Sequence, residues 1–121
     1  MEKDRRSEPR YKVPLMIHFR PILMDGKKGT WDLAPALNIS KSGICFHSTR
    51  FFELGVILET KIVSPLLAKP TIYICRVHRA VPIAPESLIY QIAIFVRAGD
   101  EKALKEYHDL IAWYDQAQKL R

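Results

Sequence analysis

Apolar residues alternate with polar ones in short runs, and prolines and glycines cut those runs before any can grow long. This punctuation is the strongest constraint on the fold. In "YKVPLMIHFRPILM", residues 11–24, Val13, Leu15, Ile17 and Phe19 share one face while Lys12, His18 and Arg20 share the other. That is the period of a half-buried strand. Pro14 and Pro21 mark an edge, a bulge or an early end. "DGKKG" at 25–29 reads as a hairpin turn, since Asp-Gly readily adopts the required backbone. Further strands are expected at 30–39, interrupted near Pro35, and at 43–48, 55–64, 71–81 and 87–96. Gly55, Pro65, Pro70, Pro82 and Pro85 fall in the breaks. Six short strands with little helix between them argue for an all-β, small antiparallel barrel or sandwich.

The period changes near the C-terminus. Leu104, Tyr107, Ile111 and Tyr114 recur at three- and four-residue intervals, beside Ala103 and Leu110, which makes one face of an amphipathic helix over 100–119. Asp100 is a suitable N-cap, and Asp100 and Glu101 suit the positive end of the helix dipole. The helix is expected to cover an opening or edge of the barrel, with Trp113 packed at the side of the stripe.

The chain has 121 residues, which is one domain. Its expected organisation is a flexible arm at 1–12, a barrel at 13–97 and the terminal helix. No run approaches the ~20 apolar residues of a membrane span. "MEKDRRSEPR" lacks the apolar segment of a signal peptide, so a cytoplasmic location without membrane insertion is expected. Cys45 and Cys75 sit in apolar runs 30 residues apart, outside any CxxC pair, and read as reduced core thiols. The four histidines lack metal-ligand spacing. No Ser/His or Cys/His arrangement, carboxylate pair or P-loop is recognisable, so neither an enzyme, a metal site nor a cofactor is expected. Asp32 reads as surface charge.

Net charge is +6. Residues 1–12 hold five basic and three acidic groups, residues 13–99 ten and five, and residues 100–121 four and five. The surplus therefore belongs to the arm and the middle of the chain, and favours an anionic partner.

Two strings carry chemistry. "RRSEPR", residues 5–10, sets Arg6 and Arg10 four apart in a segment broken by Pro9. Guanidinium forks match paired acceptors in phosphates or on the O6/N7 edge of guanine, and their planes stack on bases. "NISKSG", residues 38–43, aims the Asn38 amide and the Ser40 hydroxyl to one side of an extended chain and Ile39 to the other. Gly43 allows a tight bend and close approach by a ligand. Alone, the first string is also a solvated basic tail, and the second also an Asx/Ser turn. Together they have the chemistry for a guanine nucleotide.

This pair, R-x-x-x-R followed about thirty residues later by [D/N]-x-S-x-x-G, resembles the PilZ domain, a family of bacterial receptors for the second messenger cyclic di-GMP. "LGV" at 54–56, "CRVHRA" at 75–80, "YQIAIFV" at 90–96 and the closing helix fall where such a domain has comparable elements. The resemblance implies a six-stranded antiparallel split barrel with a C-terminal helix. It implies an arm whose Arg6 and Arg10 grip guanine and phosphate, and a barrel surface that binds through Asn38, Ser40 and Gly43. Arg5, just before the first motif, stands where the family's choice between one ligand molecule and an intercalated pair is set, and an arginine favours the pair. Ser42, which stands where many relatives have glycine, is a second-rank candidate to touch the ligand. Arg76 and Arg79, with His78 on the face of Arg76, are second-rank candidates to reach a phosphate. A downstream protein partner is expected to read the ordered arm.

Two other readings stand beside this one. A basic small barrel can bind single-stranded nucleic acid, but such sites interleave aromatic and basic residues on one strand face. Tyr73, Tyr90, Phe51 and Phe52 do not obviously form that pattern. The other is a PilZ-like protein-interaction module whose ligand site is unused.

Overall fold

Ile17 and Phe19 point into the protein and Met16, His18 and Arg20 point away from it, as the sequence alternation requires of strand β1, Met16–Ile22. Five more strands follow: β2 (Asp32–Ile39), β3 (Gly43–Ser48), β4 (Ile57–Val63), β5 (Thr71–Pro82) and β6 (Tyr90–Ala98). One helix, α1 (Glu101–Lys119), ends the series. This computed structural model describes residues 9–12, 15–67 and 69–119. Val13 and Pro14, at the expected start of the first strand, lie outside them.

The strands close into an antiparallel barrel in the order β1-β2-β3-β6-β5-β4, with β4 pairing back onto β1. Pro21 sits where β1 has already parted from β2 and pairs only with Leu58 of β4, so its missing N–H costs no ladder bond on the β2 side. The expected 25–29 turn forms around Gly26, whose φ of 84° suits glycine. The Lys27 amide donates to Asp25 Oδ1 at 2.9 Å.

Inward residues from all six strands fill the barrel. Phe19 and Phe46 pack with ring centroids 4.6 Å apart, and Phe52 meets Phe19 edge-on at 6.0 Å. Ile17, Ile39, Leu58, Ile62, Val77, Ile92 and Ile94 complete the filling. Each such side chain contributes roughly 1.5–3 kcal/mol by leaving water. Cys45 and Cys75 are free and buried.

Two expectations need correction. β2 is not interrupted at Pro35, which pairs with Met16 in an unbroken strand; the irregularity is a bulge against β3 between Ala36 and Asn38. Trp113 is 51% exposed rather than packed. The buried stripe of α1 consists of Ala103, Tyr107, Leu110, Ile111 and Tyr114, and Trp113 lies beyond its edge.

Helix α1 crosses the end of the barrel where β2 ends and β3 and β5 begin. The Asp100 carboxylate caps it, accepting from the Ala103 amide at 2.7 Å. Tyr73 of β5 donates its hydroxyl to the Ala103 carbonyl at 2.6 Å and packs edge-on against Tyr107.

Candidate functional site

The bulge in β2 decides which way Asn38 faces. Ala34 and Ala36 point inward, and strict alternation would send Asn38 after them. One extra residue between Ala36 and Asn38 shifts the phase, so Ile39 takes the inward place and Asn38 turns out. Ser40 follows on the same side. The turn then returns to β3 through a hydrogen bond from the Ser40 amide to the Gly43 carbonyl, 2.9 Å.

Gly43 is required by close packing more than by the bend. It pairs with Phe95, and a Cβ at this position would collide with the Ile94 carbonyl oxygen. Its φ is not in the left-handed region. The Ser42 carbonyl accepts from the Val96 amide at 2.8 Å, which ties the turn to β6.

A second bulge acts on the opposite wall. In β5, Thr71, Tyr73, Cys75 and Val77 point inward. The pairing with β6 then slips between Val77 and Arg79, so His78 and Arg79 both face outward and Ala80 resumes the inward series. Arg79 would otherwise point at the core.

Together these features make a groove of about 400 Å³ over the outer faces of β3 and β6. Arg10, Asn38, Ser40, Ser42, Gly43 and Arg79 line it, with Cys45, His78, Gln91, Ala93 and Phe95. Six of the sequence-predicted residues are thereby brought together. Arg76 is not among the lining residues. Its guanidinium lies beside Gly55, 3.4 Å from where a Cβ on that glycine would be. Arg5 and Arg6 lie outside the described residues.

His78 stacks on Phe95 with centroids 3.8 Å apart and planes 9° from parallel, giving the groove a flat ring surface. Burial, and then the charges of Arg10 and Arg79, hold the His78 pKa below its ordinary value, which favours a neutral ring. Neither arginine has an ion-pair partner among the described residues. The groove therefore offers two guanidiniums, an amide, a hydroxyl and a flat ring within one concavity. That set suits a ligand with negative charge, planar rings and several acceptors.

Sequence reasoning missed Gln91 and Phe95. Their alternation with Ile92 and Ile94 placed them outward, but not beside β3. It also missed the two tyrosines that hold the site from behind. Tyr11, next to Arg10, exchanges backbone hydrogen bonds with Ile39 at 2.8 and 2.9 Å. Tyr107 of α1 donates to the Ser40 carbonyl at 2.6 Å and lies 3.1 Å from the Gly43 carbonyl.

The aromatic residues considered for a nucleic-acid surface are placed otherwise. Tyr73 and Phe52 are buried, and Phe51 meets Tyr90 edge-on, centroids 5.4 Å apart. Among the described residues, no group of His, Cys, Asp and Glu could hold a metal ion, and no helix is long and apolar enough to cross a membrane.

No protein-family model and no curated protein matches the chain. Solved structures do. The Bacillus subtilis inhibitor of motility, MotI/DgrA, superposes with a TM-score of 0.74 at 17% identity, over 98% of this chain and 54% of that one. The K. pneumonia MrkH–c-di-GMP complex gives 0.71 at 16% identity, over 98% and 57%. The PilZ domain of Escherichia coli YcgR with c-di-GMP gives 0.61 at 10% identity, over 96% and 95%. The chain thus spans just over half the length of the first two and nearly all of the third.

Proposed function

We propose that this chain, whose fold is that of the PilZ domain, is a receptor for cyclic di-GMP and not an enzyme. The observation that carries the reading is convergence: Arg10 of the arm and Asn38, Ser40 and Gly43 of the β2–β3 turn line one groove, facing Arg79. Cyclic di-GMP presents two phosphodiesters and two guanines, the anionic and planar features such a groove can hold. Arg10 and Arg79 bind phosphate or the guanine O6/N7 edge, and the Asn38 amide and Ser40 hydroxyl bond a base edge or phosphate. The MrkH and YcgR structures that resemble this chain hold the same dinucleotide, which supports the reading.

Arg6 takes the second grip of the first motif, and Arg5 favours an intercalated pair of ligands over one. Of the two β5 candidates, Arg79, which lines the groove, is the one assigned to the ligand. Binding orders the arm against the barrel, a change driven by contacts made only in the bound state and read by a downstream protein. A second messenger of this kind is consistent with a cytoplasmic setting.

Isothermal titration tests the reading. Cyclic di-GMP is expected to bind with Kd of about 1 μM or tighter. Arg6→Ala and Arg10→Ala each weaken it by about tenfold or more, the loss expected of a hydrogen bond to a charged group. Arg5→Ala lowers the stoichiometry from two to one. No heat at high ligand concentration would sink the assignment. Oligonucleotide affinity falling steeply with salt, without dinucleotide binding, would point to single-stranded nucleic acid instead.

A further inference from the structure

The segment that carries Arg10 has a second side. Successive residues of an extended chain point opposite ways. Arg10 lines the groove, and Tyr11 turns from it toward α1. Tyr11 is 5% exposed, and its hydroxyl donates to Asp115 Oδ1 at 2.8 Å across 104 residues of sequence. The other Asp115 oxygen meets Lys119 Nζ at 3.1 Å one helical turn on. The ring and the helix also flank a cavity of about 310 Å³, lined by Pro9, Lys41, His108 and Ile111 among others.

We infer that α1 is the element through which occupancy of the groove is read out, and that Tyr11 is the positioning residue that couples Arg10 to it. The inference rests on the ligand reading above. A ligand that grips Arg10 fixes the short segment that Tyr11 must hold in place to reach Asp115. The cost of ordering that segment is met once and serves both contacts, so ligand and latch strengthen each other without any large displacement. Tyr107 supplies the matching contact at the other motif, since its hydroxyl reaches the Ser40 and Gly43 carbonyls. Both motifs are thereby tied to one helix, whose outer side carries the half-exposed Trp113.

Reciprocity makes the test quantitative. Whatever factor the ligand adds to the latch, the latch must add to ligand affinity. The experiment measures cyclic di-GMP affinity by titration and α1 amide hydrogen exchange with and without ligand, for the full chain and for Tyr11→Phe. In the wild type the ligand is expected to slow exchange in the half of α1 around Asp115 by about fivefold, the factor one hydrogen bond of ordinary net strength supplies. In Tyr11→Phe that slowing disappears, and affinity falls by the same factor. Amides of β3 and β6 report whether the variant still folds. If they lose protection without ligand, Asp115→Ala, which removes the same bond at a partly exposed carboxylate, carries the test. Ligand binding that leaves α1 exchange unchanged, or slowing that survives in the folded variants, overturns the coupling while the receptor reading stands. Absence of binding by the wild type overturns the receptor reading itself, and this one with it.

Discussion

The hydroxyl of Tyr107, in the second turn of α1, donates to the carbonyl of Ser40, 67 residues earlier, at 2.6 Å. One side chain of the closing helix thus holds the turn that presents the candidate ligand-binding amide and hydroxyl. The ring is 1% exposed and packs edge-on against Tyr73, so it has little room to shift.

Tyr107→Phe keeps the ring and removes the bond. Losing a buried hydrogen bond of this kind costs about 1–2 kcal/mol, which for a small domain lowers Tm by roughly 4–10 °C. The β2–β3 turn loosens as well, so cyclic di-GMP affinity falls with stability. An unchanged melting curve would mean that the bond adds nothing net.

Gly43→Ala places a methyl against the Ile94 carbonyl oxygen, a backbone atom in a paired strand. β3 and β6 must separate locally, at a cost of about 1–3 kcal/mol. The groove lies over these two strands, so ligand affinity drops too. Gly26→Ala is the control: it is strained by its φ of 84° but meets nothing within 4 Å, and it leaves affinity intact. Urea midpoints and titrations of the two variants compare them directly.

His78 is expected to titrate below 6.5, because burial and the charges of Arg10 and Arg79 disfavour its protonated form. The unfolded chain therefore binds this proton more readily, and its titration makes the native state lose stability as pH falls below about 6.5. Proton NMR of the imidazole gives the midpoint. Arg79→Ala raises it, and so does bound cyclic di-GMP, whose phosphates offset both arginines. A midpoint at or above the ordinary value would remove the neutral ring from the site description.

Glu59, on the outer face of β4, shows the opposite balance. Burial pushes its pKa up, but hydrogen bonds from Arg20 at 2.8 Å and Lys28 at 3.1 Å outweigh burial and leave it lowered. Its stabilisation is present above the unfolded pKa of about 4.3 and is lost as pH falls through the lower folded value. Glu59→Gln is expected to cost about 1–2 kcal/mol near pH 7, and the gap to wild type closes toward pH 3. Tm measured against pH for both proteins checks this. A constant gap would assign the loss to packing.

The strands and the helix were legible because their periods are local properties. Ile17, Phe19, Ile92 and Ile94 declare their faces without reference to any neighbour. The N-x-S geometry of Asn38 and Ser40 was legible for the same reason. The bulges were not, because a register shift exists only between two strands. The sequence reading put Arg76 and His78 on one outward face, as they are, but the slip in β5 turns Arg79 outward beside His78 as well. Trp113 was misplaced because it sits at the margin of the buried stripe, where the width of the contact and not the period decides exposure. The hold of Tyr107 on the β2–β3 turn needed the tertiary fold to be seen at all.

The two bulges also limit how portable this site is. A barrel of the same six strands with perfectly regular ladders would carry the same motif letters, yet would bury Asn38 and aim Arg79 into its core. Transplanting the groove onto another scaffold therefore means transplanting two phase slips along with the side chains. Restoring a regular ladder with Leu37 kept in it would act as a frameshift of faces, erasing one wall of the groove while leaving every residue named in it present.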